Sequence, residues 1–169
     1  MLDKQARILK EARECIGKPY IWGGNLPENA GTDCSGLVQY CFGKAGISLP
    51  RTSKEQYLVE GSSIYEKEEL EPGDLVFNVN MDGKISHVMI YSGNGNVIEA
   101  QKDGTLIMEH KGWNWEGHAR RVKALDESPV VFYRAVCGSY RDIENAKTIV
   151  EELKELGYGN AFVSRYDIR

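Results

Sequence analysis

Four cysteines and three histidines carry most of the chemistry open to this 169-residue chain. Cys34 stands apart from the other thiols. The run Gly31-Thr32-Asp33-Cys34-Ser35-Gly36-Leu37 places it in the first turn of an expected helix. Unpaired amides and the macrodipole favour an anion there, and the same amides can face the oxyanion formed when a carbonyl is attacked. Gly36, one turn in, is expected to leave room for substrate to approach the backbone. Cys15 and Cys41 fall mid-helix on or near apolar stripes, where a thiol is a small core residue. Cys137 has no evident partner to activate it. No CxxC pair or zinc-like Cys/His spacing occurs, so neither a metal nor another cofactor is expected.

A thiolate that cleaves amides also needs an imidazole to hold the ion pair and protonate the leaving amine. His110 and His118 flank a loop with Trp113 and Trp115 and sit in no clear pattern. His87 lies in Ile85-Ser86-His87-Val88-Met89-Ile90-Tyr91, an otherwise mostly apolar strand. If Gly93-Asn94-Gly95 forms a three-residue loop, Ser92 pairs with Asn96, Met89 with Glu99 and His87 with Gln101. Glu99 then shares the face of His87 as its diagonal neighbour, roughly 7 Å away between backbones. That suits a carboxylate that fixes the imidazole tautomer, and a slip by one residue would move it to the other face. Gln101 is the reserve candidate.

The elements that must hold these groups follow from periodicity. Residues 2–16 have a helical repeat at Leu2, Ala6, Leu9, Ala12 and Ile16, stopped by Gly17-Lys18-Pro19. Residues 20–33 are glycine-rich loop. Residues 35–45 predict a helix with Leu37, Val38, Cys41, Phe42 and Ala45 on one face, closed by Gly46. A short helix is expected over 53–60. From Pro72 the period changes to short strands: 74–79, 85–91, 96–101, 105–109 and 120–123. Helices first and antiparallel strands afterwards predict an α+β domain. Asp126-Glu127-Ser128-Pro129 reads as a linker, dividing residues 1–126 from a small βαβ unit at 127–169: strand 130–137, helix 142–156 and strand 160–166.

Composition bounds the class of function. The chain is 41% hydrophobic and 27% charged, as expected of a soluble globular protein. A net charge of −4 offers no basic field for nucleic acid. The N-terminus shows no apolar run long enough for a secretory signal or membrane span, so synthesis in the cytoplasm is expected. A chain of this size needs no disulfides, and a free thiol at Cys34 suits a reducing compartment.

Five motifs, in order, carry a family resemblance: Tyr20-Ile21-Trp22-Gly23-Gly24, Thr32-Asp33-Cys34-Ser35-Gly36-Leu37, Leu49-Pro50-Arg51-Thr52-Ser53, Pro72-Gly73-Asp74-Leu75-Val76-Phe77, and His87-Val88 through Gly93-Asn94-Gly95. Over about residues 1–125 the chain resembles the NlpC-type cell-wall endopeptidases. The resemblance implies a papain-like core and hydrolysis of peptidoglycan stem peptides, typically at the γ-D-glutamyl to diamino acid bond. It implies Cys34 as nucleophile, His87 as base and Glu99 at the third polar position, where many members have His. It also implies Tyr20 lining the cleft and Asp33 and Ser35 receiving polar groups of the stem, with Trp22 beside them. Phe77-Asn78 departs from a frequent second aromatic. An amidase of the related cysteine–histidine class, or a wall-binding module with an inert Cys34, would share much of this pattern.

The C-terminal residues Val136-Cys137-Gly138-Ser139-Tyr140, Asn145-Ala146 and 153–158 resemble half of a sporulation-related repeat domain, which binds glycan strands. A lone half implies docking on the catalytic domain, pairing of two chains into a homodimer, or a longer parent chain. A wall-binding unit without a signal sequence points toward a phage endolysin that acts on bacterial peptidoglycan.

Overall fold

The structure, a computed structural model, describes residues 4–26, 30–125 and 143–155. It divides into two compact units, 1–128 and 129–169. Within the first, helix α1 (Lys4–Glu14) buries Ile8, Leu9 and Ala12. Cys15 follows just past its end and is also buried. The apolar face is therefore rotated from the expected one: Ala6 and Ile16 are exposed, and Ile8 takes their place in the 3.6-residue repeat.

Helix α2 (Cys34–Lys44) packs Leu37, Val38, Cys41 and Phe42 into the same core. Its start is set by Asp33, whose extended backbone and side-chain acceptor make it the N-cap. Helix α3 (Ser53–Tyr57) is shorter than expected, opening on a capping box between Thr52 and Glu55.

Six strands follow among the described residues: β1 (Gly61–Ile64), β2 (Leu75–Val79), β3 (Ile85–Gly93), β4 (Asn96–Glu99), β5 (Met108–His110) and β6 (Ala119–Val122). They form one antiparallel sheet in the order β1-β6-β2-β3-β4-β5. Strand β1 has no counterpart in the sequence reading. Its Gly-Ser-Ser-Ile run buries only Ile64, so pairing with β6 rather than apolar alternation makes it a strand.

The sheet is covered on both faces. Leu75, Phe77, Val88, Ile90 and Ile98 pack with α1 and α2, whereas Val76, Met89, Val97 and Ala119 pack with Leu70, Trp113 and Trp115. Double coverage explains why β2 and β3 read as apolar runs rather than clean alternation. Each fully buried Phe, such as Phe42 and Phe77, contributes about 1.5–3 kcal/mol over exposure. The loop after β5 is held on the second face by Trp113, whose Nε1 donates to the carbonyl of Gly95 at 2.9 Å.

Two details aim the strands at the site. The β3–β4 turn has two residues, Asn94 and Gly95, with φ of 54° and 77°, so it is the tight turn that right-twisted strands favour. A register shift between Tyr91 and Gly93 then restores the expected inner pairing, with Tyr91 opposite Val97 and Ile90 opposite Ile98. The expected strand 105–109 is split. Only Met108–His110 pairs with β4, and Pro19 bridges Leu106 while the amide of Tyr20 donates to Thr105 O at 2.9 Å. That bridge ties the Tyr20 loop to the sheet.

Of the second unit the described part is helix α4 (Ile143–Glu155), on which Ala146, Ile149, Val150 and Leu153 are half-buried at helical spacing. The expected linker, both C-terminal strands and Cys137 lie outside the described residues.

Candidate active site

Cys34 is the first residue of α2 and half-buried, so its thiol sits where helix amides are unpaired. The start of that helix is anchored by one carboxylate. Asp33 Oδ1 accepts from the Gly36 amide at 2.8 Å and Oδ2 from the Gly23 amide at 3.0 Å. The Arg51 guanidinium grips both oxygens, at 2.9 and 2.7 Å, and also reaches Ser35 Oγ at 3.0 Å and Gly24 O at 3.1 Å. Burial opposes ionisation of Asp33, but Arg51 and the two amides outweigh it and hold its pKa below the usual value. Asp33 thus joins the Tyr20 loop, the head of α2 and the segment before α3.

Arg51 stood in a quoted motif without a role. The available signal was the need of a buried aspartate beside the thiol for a counter-charge. Arg51→Ala leaves that carboxylate buried and half satisfied. Because the Arg51 side chain is 35% exposed, the expected loss is discounted to roughly 1–3 kcal/mol, read by urea unfolding at neutral pH. Lysine should restore only part, lacking the planar fork.

Gly36 does not open the backbone to substrate. A Cβ there would lie 2.3 Å from Thr32 Oγ1 and 2.6 Å from Gly24 O, so the glycine lets the Tyr20–Asp33 loop close on the helix.

His87, near the start of β3, pairs with Asn78 in β2. Its Nε2 lies 2.5 Å from Glu99 Oε2, and its ring is also hydrogen-bonded to Cys34, which leaves Nδ1 for the thiol. Burial disfavours the imidazolium, but the hydrogen bonds to Cys34 and Glu99 outweigh it and raise the pKa to about 9. Glu99 is 3% exposed and ends β4. Burial pushes its pKa up, yet His87 and His110 together hold it below the ordinary carboxylate value. Gln101, the reserve candidate, is exposed beyond the end of β4, and Glu99 takes the imidazole.

The three histidines have different places. His110 on β5 puts Nε2 2.7 Å from the other Glu99 oxygen, Oε1. Sequence reasoning missed it because only the β4–β5 register, Val97 opposite His110, makes it a diagonal neighbour of Glu99. His118 instead packs edge-on against Tyr57, with ring centroids 6.0 Å apart.

Tyr20 is half-buried, and its phenol pKa is raised by burial and by the charges of Cys34 and Asp33. Trp22 is 81% exposed and free to meet a ligand. Ser35 is buried, its hydroxyl 3.3 Å from Asp33 Oδ1 and within reach of Arg51. Cys15 and Cys41 are buried and hydrogen-bonded to each other. Among the described residues no cluster of ligand side chains could hold a metal ion.

The profile of the NlpC/P60 family matches residues 17–124, a span that holds every site residue above. The chain belongs to the NlpC/P60 family. Its six-stranded sheet with helices against one face is the papain-like α+β core of that family. The bifunctional muramidase/DL-endopeptidase CwlT of Bacillus subtilis is 45% identical over 119 residues, 69% of this chain and 35% of that protein. The probable endopeptidase p60 of Listeria monocytogenes is 46% identical over 108 residues, 64% of this chain and 21% of its own length. This chain therefore spans about a third or less of those relatives. Among solved structures, the peptidoglycan hydrolase RipB of Mycobacterium tuberculosis is 30% identical with a TM-score of 0.60, covering 70% of this chain and 64% of that one.

Proposed function

We propose that this NlpC/P60 domain is a cysteine peptidase that hydrolyses the peptide stems of bacterial peptidoglycan. The observation that carries the reading is Cys34 at the start of α2, hydrogen-bonded to an imidazole that Glu99 holds at 2.5 Å. The bond expected is that from γ-D-glutamate to the diamino acid. A DL-endopeptidase and a gamma-DL-glutamyl hydrolase of Bacillus subtilis among the relatives support this choice.

In the reaction the Cys34 thiolate attacks the scissile carbonyl and the amides at the head of α2 face the oxyanion. The C–N bond breaks as the leaving amine takes the proton of His87, giving a thioester. His87 then draws a proton from water, whose oxygen attacks the thioester, releasing the acid and returning Cys34 as the thiolate beside protonated His87. Glu99 keeps the ring aligned through both proton transfers. Half-buried Tyr20 and exposed Trp22 line the approach in this reading. Asp33 and Ser35, tied into the Arg51 network, hold the nucleophile helix as well as any substrate polar group.

For the second unit, the helical face of α4 supports a small module that binds wall glycan or pairs with a second copy. The described residues include no helix long and apolar enough to cross a membrane.

Mass analysis of fragments released from purified peptidoglycan tests the assignment. New amino and carboxyl termini inside the stem, at the γ-D-glutamyl bond, are expected. Termini at the sugar–peptide junction would make the protein an amidase. Binding without fragments would make it a wall-binding module.

A further inference from the structure

Glu99 is unusual in having each oxygen claimed by a different imidazole: Oε2 by His87 of β3 at 2.5 Å, and Oε1 by His110 of β5 at 2.7 Å. The carboxylate lies on the strand between them and is 3% exposed, while His110 is 24% exposed. A buried carboxylate with one donor keeps freedom about its last torsion, a broad two-fold rotor, and can turn its second oxygen elsewhere. A donor on the far oxygen removes that freedom and satisfies an acceptor that would otherwise be buried and bare.

We propose that His110 is a positioning residue of the active site: its Nε2–H holds Oε1 of Glu99 so that Oε2 meets His87. The inference rests on the catalytic reading of Cys34 and His87 but concerns a residue that reading does not need. The row Cys34, His87, Glu99, His110 joins the head of α2 to three adjacent strands. In the neutral tautomer that donates to Glu99, His110 Nδ1 is left as an acceptor; it faces Gly112, where even a Cβ would stand 3.7 Å away. The two hydrogen bonds together offset the burial of Glu99 and keep it ionised.

The test uses the full chain with His110→Phe, which fills the site without a donor, and His110→Gln, whose amide nitrogen can occupy the place of Nε2. Two readouts are followed against pH: kcat and KM on a soluble stem peptide, and the rate of iodoacetamide alkylation at Cys34. For His110→Phe we expect kcat to fall roughly ten- to a hundredfold with KM nearly unchanged, a loss of the size seen when outer-shell orienters are removed. The alkaline limbs of both profiles should move down by about one pH unit as His87 loses support. His110→Gln should recover most of both. Wild-type kcat and profiles in a folded His110→Phe protein would overturn the proposal. If His110→Phe does not fold, His110→Asn replaces it, since its shorter amide stops short of Glu99; wild-type behaviour there overturns the proposal equally. Should Cys34→Ala keep digesting peptidoglycan, the catalytic reading fails, but the alkylation profile still decides whether His110 supports His87.

Discussion

Cys34→Ala is expected to reduce peptidoglycan hydrolysis by roughly 10⁴- to 10⁶-fold while leaving the protein folded. The size of the loss follows from the role proposed for the sulfur: without it no thioester would form, and the remaining amides and binding contacts would act on a water that nothing has activated. Alanine is a good helix former and the side chain is half-buried, so thermal unfolding should move little. Cys15→Ala and Cys41→Ala are the controls. Both residues are buried against each other between α1 and α2, so they should cost stability, about 1–2 kcal/mol each, and leave kcat in place. Turnover on a stem peptide beside the melting curve of each variant checks the pattern. A Cys34→Ala protein with appreciable turnover would refute the nucleophile.

The second large effect is expected at Glu99. Glu99→Gln keeps the shape and removes the charge, and kcat should fall by roughly 10²- to 10⁴-fold, as when the carboxylate of a triad is made an amide. The pH dependence carries the diagnostic sign. His87 has its pKa raised to about 9 in the folded protein, from a value of 6.5 without its partners. Its charge-dependent stability is therefore complete below pH 6.5 and is lost as the pH rises through about 9. In the proposed mechanism the same proton serves the leaving amine, so kcat/KM should decline over the same alkaline range. In Glu99→Gln one of the two supports is gone and the alkaline limb should shift toward neutral pH. Calorimetric unfolding and a kcat/KM profile on one set of samples measure both consequences. An unshifted limb would remove Glu99 from the mechanism.

How much of this was legible in the sequence depended on how local each cause was. The apolar repeat over 35–45 acts within a few turns and put Cys34 at a helix start directly, while Asp33 as N-cap fixes that start one residue earlier than the repeat did. Asn94-Gly95 marks a tight hairpin, and strand parity then carries Glu99 to the His87 face although the turn itself was read one residue too long. The phase of α1 was misjudged because Leu9 and Ala12 fit two overlapping stripes, and only packing against α2 selects the one containing Ile8. Strand β1 escaped because its sequence is polar and its partner β6 lies far along the chain. Arg51 and His110 lie 18 and 11 positions along the chain from their partners. Neither partnership has a period or spacing of its own, and each exists only once loop closure and register are settled.

The burial pattern of the sulfurs also has an analytical use. In the unfolded chain Cys15, Cys34 and Cys41 are chemically alike, whereas in the folded unit two are buried and Cys34 is only half-buried at a helix start. A pulse of electrophile followed by peptide mapping would therefore report the folded fraction and the competent fraction of a preparation at once. Among these three, label on Cys34 alone marks intact protein, label on all of them marks opened protein, and unlabelled Cys34 beside protected Cys15 and Cys41 marks molecules already oxidised or blocked. The protein would carry its own titrant.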